Sequence, residues 1–337
     1  MKDLLKSTLK YTMFLTLAGV LLYVAFNGYD INKVLIKWNE ANKLPIILSG
    51  IAVLLSHFFR ALRWKLLLNP MGFTFSTINS YLSVLVGYGV NIIVPRGGEV
   101  SRCINLNKLE GVPVKQALGT VIAERIIDLL FLIGSIGLAL IVSFDQLLAV
   151  ITNYLNQIGN KQNNGTGNLV WMLVIGLLLF VPALLFVLKS QNRTIIRFRI
   201  KIKQFFIGLG QGIMSIFRLQ HNILFLVYTI LIWGLYFIMA YFVIIAFPET
   251  KELGLEGALM VFVLGAIAMA MPSPGGTGTY HVFVPLGIFM LYGIPKDDGL
   301  AFATIFHGWQ TAIHLIVGGI TIVISQILIK RNAKKNS

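Results

Sequence analysis

The sequence predicts an all-α integral membrane protein that crosses the bilayer several times, and three observations support this class. Of its 337 residues, 56% are hydrophobic and 12% are charged, against about 25% charged residues in soluble domains. Several apolar windows reach the roughly 20 residues that a helix needs to span a hydrocarbon core. Short loops and one basic linker separate these windows. We therefore predict a single polytopic membrane domain over residues 1–337.

The apolar segments fall into long and short groups. The long ones predict six transmembrane helices, at 10–27, 44–64, 117–143, 169–188, 221–247 and 300–329. The first has no small-x-small cleavage pattern after it, so we interpret it as a span rather than as a signal peptide. The shorter apolar runs, at 78–94 and at 257–271 with 281–293, are interrupted by glycine and proline. They predict two re-entrant, glycine-broken helical hairpins.

The distribution of charge predicts an orientation. The formal net charge of +15 comes from 28 Lys and Arg against 13 Asp and Glu. Basic residues cluster at the N-terminus, after the second span, in the linker 189–220 and at the C-terminus, whereas the alternate loops are mixed or acidic. The positive-inside rule then places both termini in the cytoplasm. The hairpin at 78–113 would enter from the cytoplasm and that at 257–295 from outside, in a bacterial inner (cytoplasmic) membrane.

The basic charge lies beside apolar spans, where it can meet anionic headgroups, so we expect membrane phospholipids and no nucleic acid as partners. The lone cysteine, Cys103, allows no intrachain disulfide.

An internal repeat relates the two halves of the chain. Val94-Pro95-Arg96-Gly97-Gly98-Glu99 resembles Pro272-Ser273-Pro274-Gly275-Gly276-Thr277, and each stretch is followed by Gly-x-Pro and then by a long span. The copies lie about 180 residues apart with three predicted crossings between them, which gives them opposite orientations. We predict repeat 1 at 44–143, a basic cytoplasmic linker at 189–220 and repeat 2 at 221–329. The alternative is a chance match between Gly-, Leu- and Ile-rich membrane sequences.

The first candidate site lies near the end of the second span. Arg60 and Arg63 are three residues apart and share a helix face, and guanidinium groups match phosphate oxygens. Arg63 and Trp64 are also explained as interfacial residues that reach towards headgroups. Arg60 lies one turn deeper.

The second candidate site is the first glycine loop. Gly97 and Gly98 would let backbone approach a ligand, and a helix starting near Glu99 would direct free N–H groups at a phosphate. Glu99 and Arg102 could pair on one helix face, with Arg96 beside the glycines. The alternative is a polar loop outside the membrane.

The third candidate site is Glu124, Arg125 and Asp128, inside the apolar span at 117–143. Ionisable groups within a span are costly and indicate function by default. Arg125 could pair with Asp128, and we hypothesise that these carboxylates also pair with Arg60 or Arg102. The alternative is a structural ion pair that locks helices together.

The fourth candidate site is the uncharged second glycine loop and one face of the last span. These residues would line a cavity: Pro274, Gly275, Gly276, Thr277, Tyr280, His281, His307, Gln310 and His314. The histidine spacing lacks a metal-ligand pattern, so we expect no metal. We expect His57 and His221 to be interfacial. Nucleotide-binding motifs are also missing from the sequence, so no cofactor is expected.

Taken in order, these motifs resemble the lysylphosphatidylglycerol synthase transmembrane-region family, over residues 10–325. The resemblance rests on Arg60-x-x-Arg63-Trp64, Pro95-x-Gly-Gly-Glu99-x-x-Arg102, Glu124-Arg125-x-x-Asp128 and Pro-x-Pro-Gly-Gly-x-Gly. It implies a flippase-like role in moving phospholipid, or lipid with a modified headgroup, between leaflets. The family's fused aminoacyl-transfer domain is not expected here, because only Arg331–Ser337 follow the last span. His281 stands where the family usually has a Glu, which leaves headgroup preference and any coupling proton open.

Two functional classes follow. A flippase- or scramblase-like lipid translocase would receive a phosphate at Arg60, Arg96 and Arg102. Its carboxylates would hold those arginines or bind a cationic headgroup. The alternative is a membrane-embedded enzyme or accessory subunit acting on a lipid-linked substrate, with Glu124 or Asp128 as acid or base. The sequence favours the carrier over the enzyme. As protein partners we expect further copies of the chain, in a homo-oligomer, or a lipid-modifying enzyme.

Overall fold

The computed structural model describes residues 16, 19–27, 29–95, 97–160, 196, 200, 221–271 and 273–336, and this part of the chain is helical without strands. Contacts divide the chain into two units, Met1–Ser143 with Leu219–Ser337 and Phe144–Arg218. The predicted crossing at 169–188 and nearly all of the linker at 189–220 lie outside the described residues. Within the predicted crossing at 10–27, residues 19–26 are helical.

Nine α-helices of the first unit have both ends among the described residues, and four of them are longer than 20 residues. The nine are α1 Asn32–Glu40, α2 Lys43–Leu68, α3 Thr77–Ile93, α4 Gly97–Glu110, α5 Val114–Val142, α7 Asn222–Ile244, α8 Gly254–Ala270, α9 Thr279–Tyr292 and α10 Lys296–Asn336. The second unit contains α6, Phe144–Asn160.

Five segments of the described chain are long and apolar enough to cross a membrane: Lys43–Met71, Val114–Val142, Asn222–Ile244, Lys251–Ala270 and Lys296–Asn332. Four of them match the crossings predicted at 44–64, 117–143, 221–247 and 300–329. The fourth in order, Lys251–Ala270, differs from the short run predicted at 257–271. A 3-10 turn at Lys251–Leu253 leads directly into α8. The helical segment therefore includes Glu252 and Glu256, whose charges had limited the apolar run identified in the sequence.

Two helical hairpins enter the first unit from opposite ends. The first consists of α3 and α4, and Glu110 Oε1 ties its open end by accepting from Ser76 N at 3.0 Å and Asn79 Nδ2 at 2.6 Å. The second consists of α8 and α9, and at its open end Tyr292 Oη donates to Glu256 Oε1 at 3.3 Å. In each hairpin the first arm has 17 residues and the second has 14.

The closed ends of the two hairpins touch. A methyl group built on Gly275, in the second turn, would lie 3.2 Å from Ile92 Cδ1 and 3.5 Å from Ile92 Cα at the end of α3. Arms of 17 and 14 residues are about 25 and 21 Å long, shorter than a hydrocarbon core of about 30 Å. Each arm alone is therefore too short to span such a core.

Different kinds of contact hold the two ends of the unit. At one end, Lys33 and Lys37 of α1 form ion pairs with Asp297 and Glu249, and Asn42 N donates to Ala246 O at 2.8 Å. At the other end, Asn332 Nδ2 of α10 donates to Leu109 O of α4 at 3.5 Å. Acidic loops thus gather at the end from which α8 starts, opposite the open end of the first hairpin.

Candidate functional site

Five ionised side chains from α2, α4 and α5 meet in the interior of the first unit. Asp128 on α5 accepts from Arg60 Nη1 and Arg63 Nη2 on α2, each at 2.9 Å. The two arginines are three residues apart, so they project from one face of α2 and share one carboxylate. On α7, Thr229 Oγ1 accepts from Arg63 Nη1 at 3.2 Å and Tyr236 Oη from Arg60 Nη2 at 3.1 Å.

Glu124 lies one turn earlier on α5 and pairs with Arg102, the fifth ionised side chain. It accepts a hydrogen bond from Arg102 Nη2 on α4, and its Oε1 lies 3.4 Å from Arg63 Nε. The Arg102 guanidinium also lies 4.6 Å from the ring centroid of Trp64, whose Nε1 donates to Thr120 Oγ1 at 2.9 Å. The hypothesised pairing of the α5 carboxylates with Arg60 and Arg102 is present in the structure.

A more exposed pair lies beside this buried group. Arg125 Nε is 3.9 Å from Glu99 Oε1, and Arg125 Nη2 is 3.5 Å from Asp128 Oδ2. Glu99 was predicted to pair with Arg102. It contacts Arg125 instead, because Arg102 forms an ion pair with Glu124. A carboxylate with no exposed surface needs a counter-charge, whereas the Glu99 side chain is 31% exposed and keeps contact with solvent.

The interfacial interpretation of Arg63 and Trp64 was wrong. Both side chains have no exposed surface, since they contact Thr120, Asp128 and Thr229 on neighbouring helices, and α2 continues past them to Leu68. The same extension places Arg60 about two turns inside the helix.

The glycines of the first loop serve helix packing. A methyl group on Gly98 would lie 2.1 Å from the carbonyl oxygen of Gly87 and 2.6 Å from Asn91 Cγ. Gly98 N donates to Asn91 Oδ1 at 2.7 Å. Glycine is needed at this position because α3 and α4 approach each other closely here.

Two backbone N–H groups at the start of α4 have partners within the chain. The helix begins at Gly97, two residues before Glu99, and Gly97 N donates to Val94 O at 2.9 Å. The first two backbone N–H groups of α4 are thus bonded within the chain and cannot serve a ligand. Arg96 lies outside the described residues.

A partly open cleft lies beside the ion pairs, and the empty space in it, including the part open to solvent, is about 300 Å³. Three guanidinium groups face it, together with a tyrosine, an asparagine and small residues of the first hairpin. Its lining consists of Arg60, Val84, Gly87, Tyr88, Asn91, Gly98, Glu99, Arg102 and Arg125.

The described part of the cluster carries a surplus of positive charge. Four guanidinium groups face three carboxylates, those of Glu99, Glu124 and Asp128, which leaves a formal charge of +1. Among the described residues no acceptor lies within hydrogen-bond reach of Arg60 Nε or Arg102 Nε, although both atoms are buried. Arginine donors beside a cleft with surplus positive charge suit an anion with several oxygens, such as a phosphodiester.

The second glycine loop forms a separate, hydrogen-bonded turn. Gly275 and Gly276 have φ of 53° and 80°, a region that favours glycine. His307 Nε2 lies 2.8 Å from Gly275 O, and the His307 ring stacks on Tyr280 and meets His281 edge-on, each with centroids 5.1 Å apart.

Three other predicted residues, Pro274, Thr277 and Gln310, lie in this region. Pro274 is buried, and Thr277 N donates to Pro274 O at 2.9 Å. Gln310 lies half-buried three residues after His307. None of the predicted second-loop residues is among those that line the cationic cleft.

His57 is buried, in contrast to its predicted interfacial position. It is 1% exposed in the middle of α2, and its Nε2 lies 2.9 Å from His314 Nε2 on α10. His221, just before α7, is exposed.

Sequence reasoning missed four polar residues that contact or line the site: Tyr88, Asn91, Thr229 and Tyr236. The first two lie three residues apart on α3 and face the cleft. The other two lie seven residues apart on α7, where they accept from the α2 arginines. Polar residues at i, i+3 or i, i+7 in an otherwise apolar helix share a face, and this signal could have identified them.

The fold and the site define a multi-pass α-helical membrane protein with a cationic cleft between its helices. The family model described as lysylphosphatidylglycerol synthase TM region matches residues 12–318. The chain belongs to this family, which confirms the resemblance drawn from its motifs.

One curated relative is similar over part of its length. A UPF0104 membrane protein of Methanocaldococcus jannaschii is 32% identical to this chain over 158 residues, which are 44% of the chain and 46% of that protein. The match thus spans about half the length of the relative. No solved structure matches the chain.

Proposed function

We propose that the protein is a lipid translocase, flippase- or scramblase-like, that moves a phospholipid or a lipid with a modified headgroup across the membrane. The observation that carries the proposal is the cleft lined by Arg60, Arg102 and Arg125, beside a cluster with one surplus positive charge. Positive charge within a membrane domain is costly, and an anionic headgroup in the cleft would neutralise the surplus.

Arg125 is the residue best placed to bind the headgroup first. Its side chain is 45% exposed, and its carboxylate contacts, at 3.5 and 3.9 Å, are longer than the 2.9 Å contacts of Arg60 and Arg63 with Asp128. A loosely held guanidinium can exchange a carboxylate for a phosphate at small cost. Arg60 and Arg102 would then complete the contacts from inside the cleft.

The two hairpins supply a route across the bilayer. We infer that they are re-entrant inverted repeats, since their arms match in length and their closed ends touch at Ile92 and Gly275. Broken helices that meet near the midplane are a recurrent plan in transporters. We place the basic ends of the unit in the cytoplasm of a bacterial cell, so that the cationic cleft loads from the inner leaflet.

The alternative, a membrane-embedded enzyme with Glu124 or Asp128 as acid or base, has less support. Each of these carboxylates contacts at least two arginines. Guanidinium neighbours stabilise the ionised carboxylate, which makes it a poor proton donor and a poor base.

Reconstitution tests the proposal. Purified protein in liposomes receives phosphatidylglycerol, phosphatidylethanolamine or phosphatidylcholine labelled on an acyl chain, and a membrane-impermeant quencher reports arrival in the outer leaflet. We expect faster exposure than in empty vesicles, and a slowing of about tenfold or more in Arg125→Gln, because charge-assisted hydrogen bonds contribute about 1.5–3 kcal/mol.

Lys115→Gln is the matched control, since Lys115 is an exposed cation on the same helix that does not line the cleft. It should flip lipid at the wild-type rate. Exposure no faster than in empty vesicles for all three headgroups would refute the translocase. New lipid species in the same vesicles, found by mass spectrometry, would favour the enzyme.

A further inference from the structure

A buried histidine, His57, and a half-buried one, His314, contact each other behind the cationic cleft. The Nε2 atoms of His57 on α2 and His314 on α10 are 2.9 Å apart. At that distance one imidazole must donate and the other accept, because two lone pairs or two N–H groups would repel each other. The neutral pair therefore holds a single hydrogen between its two Nε2 atoms.

Tyr88 connects this pair to the cleft. Its ring stacks on His57 with centroids 3.7 Å apart and on His314 at 5.2 Å. Its hydroxyl lies 3.3 Å from that of Tyr236, which accepts from Arg60 Nη2 at 3.1 Å. Since Tyr88 also lines the cleft, one side chain separates the histidine pair from the anion site.

The groups that face the pair among the described residues explain why it would respond to an anion. Arg60 lies one turn along α2, His307 two turns back along α10, Tyr88 faces both rings from α3, and Tyr236 stands behind it on α7. Of these groups only Arg60 carries a full charge, and this positive charge would repel a proton on the pair. An anion that neutralises the surplus charge of the cleft weakens this repulsion.

We propose that the His57–His314 pair is a proton-binding site linked to the cleft, so that entry of an anionic headgroup draws one proton onto the pair. The proposal rests on the translocase function, because the headgroup is that of the transported lipid. The proton comes from the aqueous phase and takes the free Nδ1 lone pair of the donating imidazole. The resulting imidazolium keeps a charge-assisted Nε2–H···Nε2 bond to its neutral partner. A second proton would place two N–H groups face to face, so the site takes one.

This linkage gives the carrier a coupling ion. Proton binding and anion binding strengthen each other by the same factor, because the coupling free energy is reciprocal. The protein would then move one anionic lipid together with one proton, and lipid affinity would rise as the pH falls.

Calorimetry tests the linkage. Protein in detergent micelles is titrated with short-chain phosphatidylglycerol at one pH in two buffers of different ionisation enthalpy, and the difference in heat gives the protons taken up per bound lipid. Wild type should take up as much as one proton, with affinity rising up to tenfold per unit fall in pH. His57→Gln and His314→Gln should bind the lipid without proton uptake. His221→Gln, the exposed control, should behave as wild type.

The outcomes separate the two proposals. Binding by wild type without proton uptake, or with the same uptake in both histidine variants, overturns the proton site and leaves the translocase standing. If wild type binds neither phosphatidylglycerol nor, in a parallel titration, phosphatidylcholine, the headgroup site is overturned and the linkage with it. If a variant does not fold, the pH dependence of wild-type affinity decides: a tenfold rise per unit fall supports the site, and a flat profile overturns it.

Discussion

Replacing Asp128 with asparagine removes the carboxylate that both arginines of α2 contact at 2.9 Å. Three buried guanidinium groups would then face Glu124 alone, and the buried surplus would rise from one charge to two. Removing one partner of a buried ion pair costs about 3–5 kcal/mol, because the remaining charge stays buried without compensation. Arg63 keeps Glu124 at 3.4 Å, so Arg60 bears most of the loss.

The assay is unfolding by a denaturing detergent in mixed micelles, followed by circular dichroism. We expect Asp128→Asn to lower the free energy of unfolding by about 3–5 kcal/mol. Glu99→Gln is the matched control, because Glu99 is 31% exposed and lies 3.9 Å from Arg125; such a pair contributes about 0–1 kcal/mol. A loss below 1 kcal/mol for Asp128→Asn, or equal losses in both variants, would refute the reasoning.

Two further predictions concern the hairpins. Gly98→Ala should destabilise the protein by about 1–3 kcal/mol, since its methyl group would meet the Gly87 carbonyl oxygen at 2.1 Å. Gly119→Ala should not destabilise it, because the space around Gly119 is open. Equal stability of both variants in the same assay would contradict the packing role of Gly98. In a background without the native cysteine, Ile92→Cys with Gly275→Cys should form a disulfide under oxidation, because the two positions are in contact. The control pair, Ile78→Cys with Gly275→Cys, should form no disulfide, because Ile78 lies about 21 Å from Ile92 along α3. Equal cross-linking of both pairs would show that the hairpin ends do not meet as described.

The membrane class and most spans could be predicted from the sequence because a span requires about 20 apolar residues in succession. Lys251–Ala270 was underestimated, since two glutamates interrupt the apolar pattern while the backbone remains helical. Hydropathy measures composition, whereas the helix boundary depends on backbone hydrogen bonds.

The charged part of the site could also be predicted, because ionisable residues inside an apolar run carry a cost that marks them. Arg60, Glu124 and Asp128 were identified in this way. The partner of each charge could not be predicted, since it depends on how α2, α4 and α5 pack. Arg63 was misjudged for a related reason: its depth depends on α2 continuing to Leu68.

The histidine pair was beyond sequence reasoning. His57 and His314 are 257 positions apart, and nothing in either local pattern indicates the other. Their contact joins α2 to α10, and α10 also packs against α3, where a methyl group on Gly89 would lie 3.0 Å from Gly318 Cα.

A structure of the protein in nanodiscs rich in phosphatidylglycerol tests the headgroup site most directly. We predict a phosphate-sized density in the cleft, within hydrogen-bond distance of Arg102 or Arg125. Ordered lipid confined to the outer faces of the helices, with the guanidinium groups of the cleft contacting only protein or water, would contradict the role proposed for the cleft.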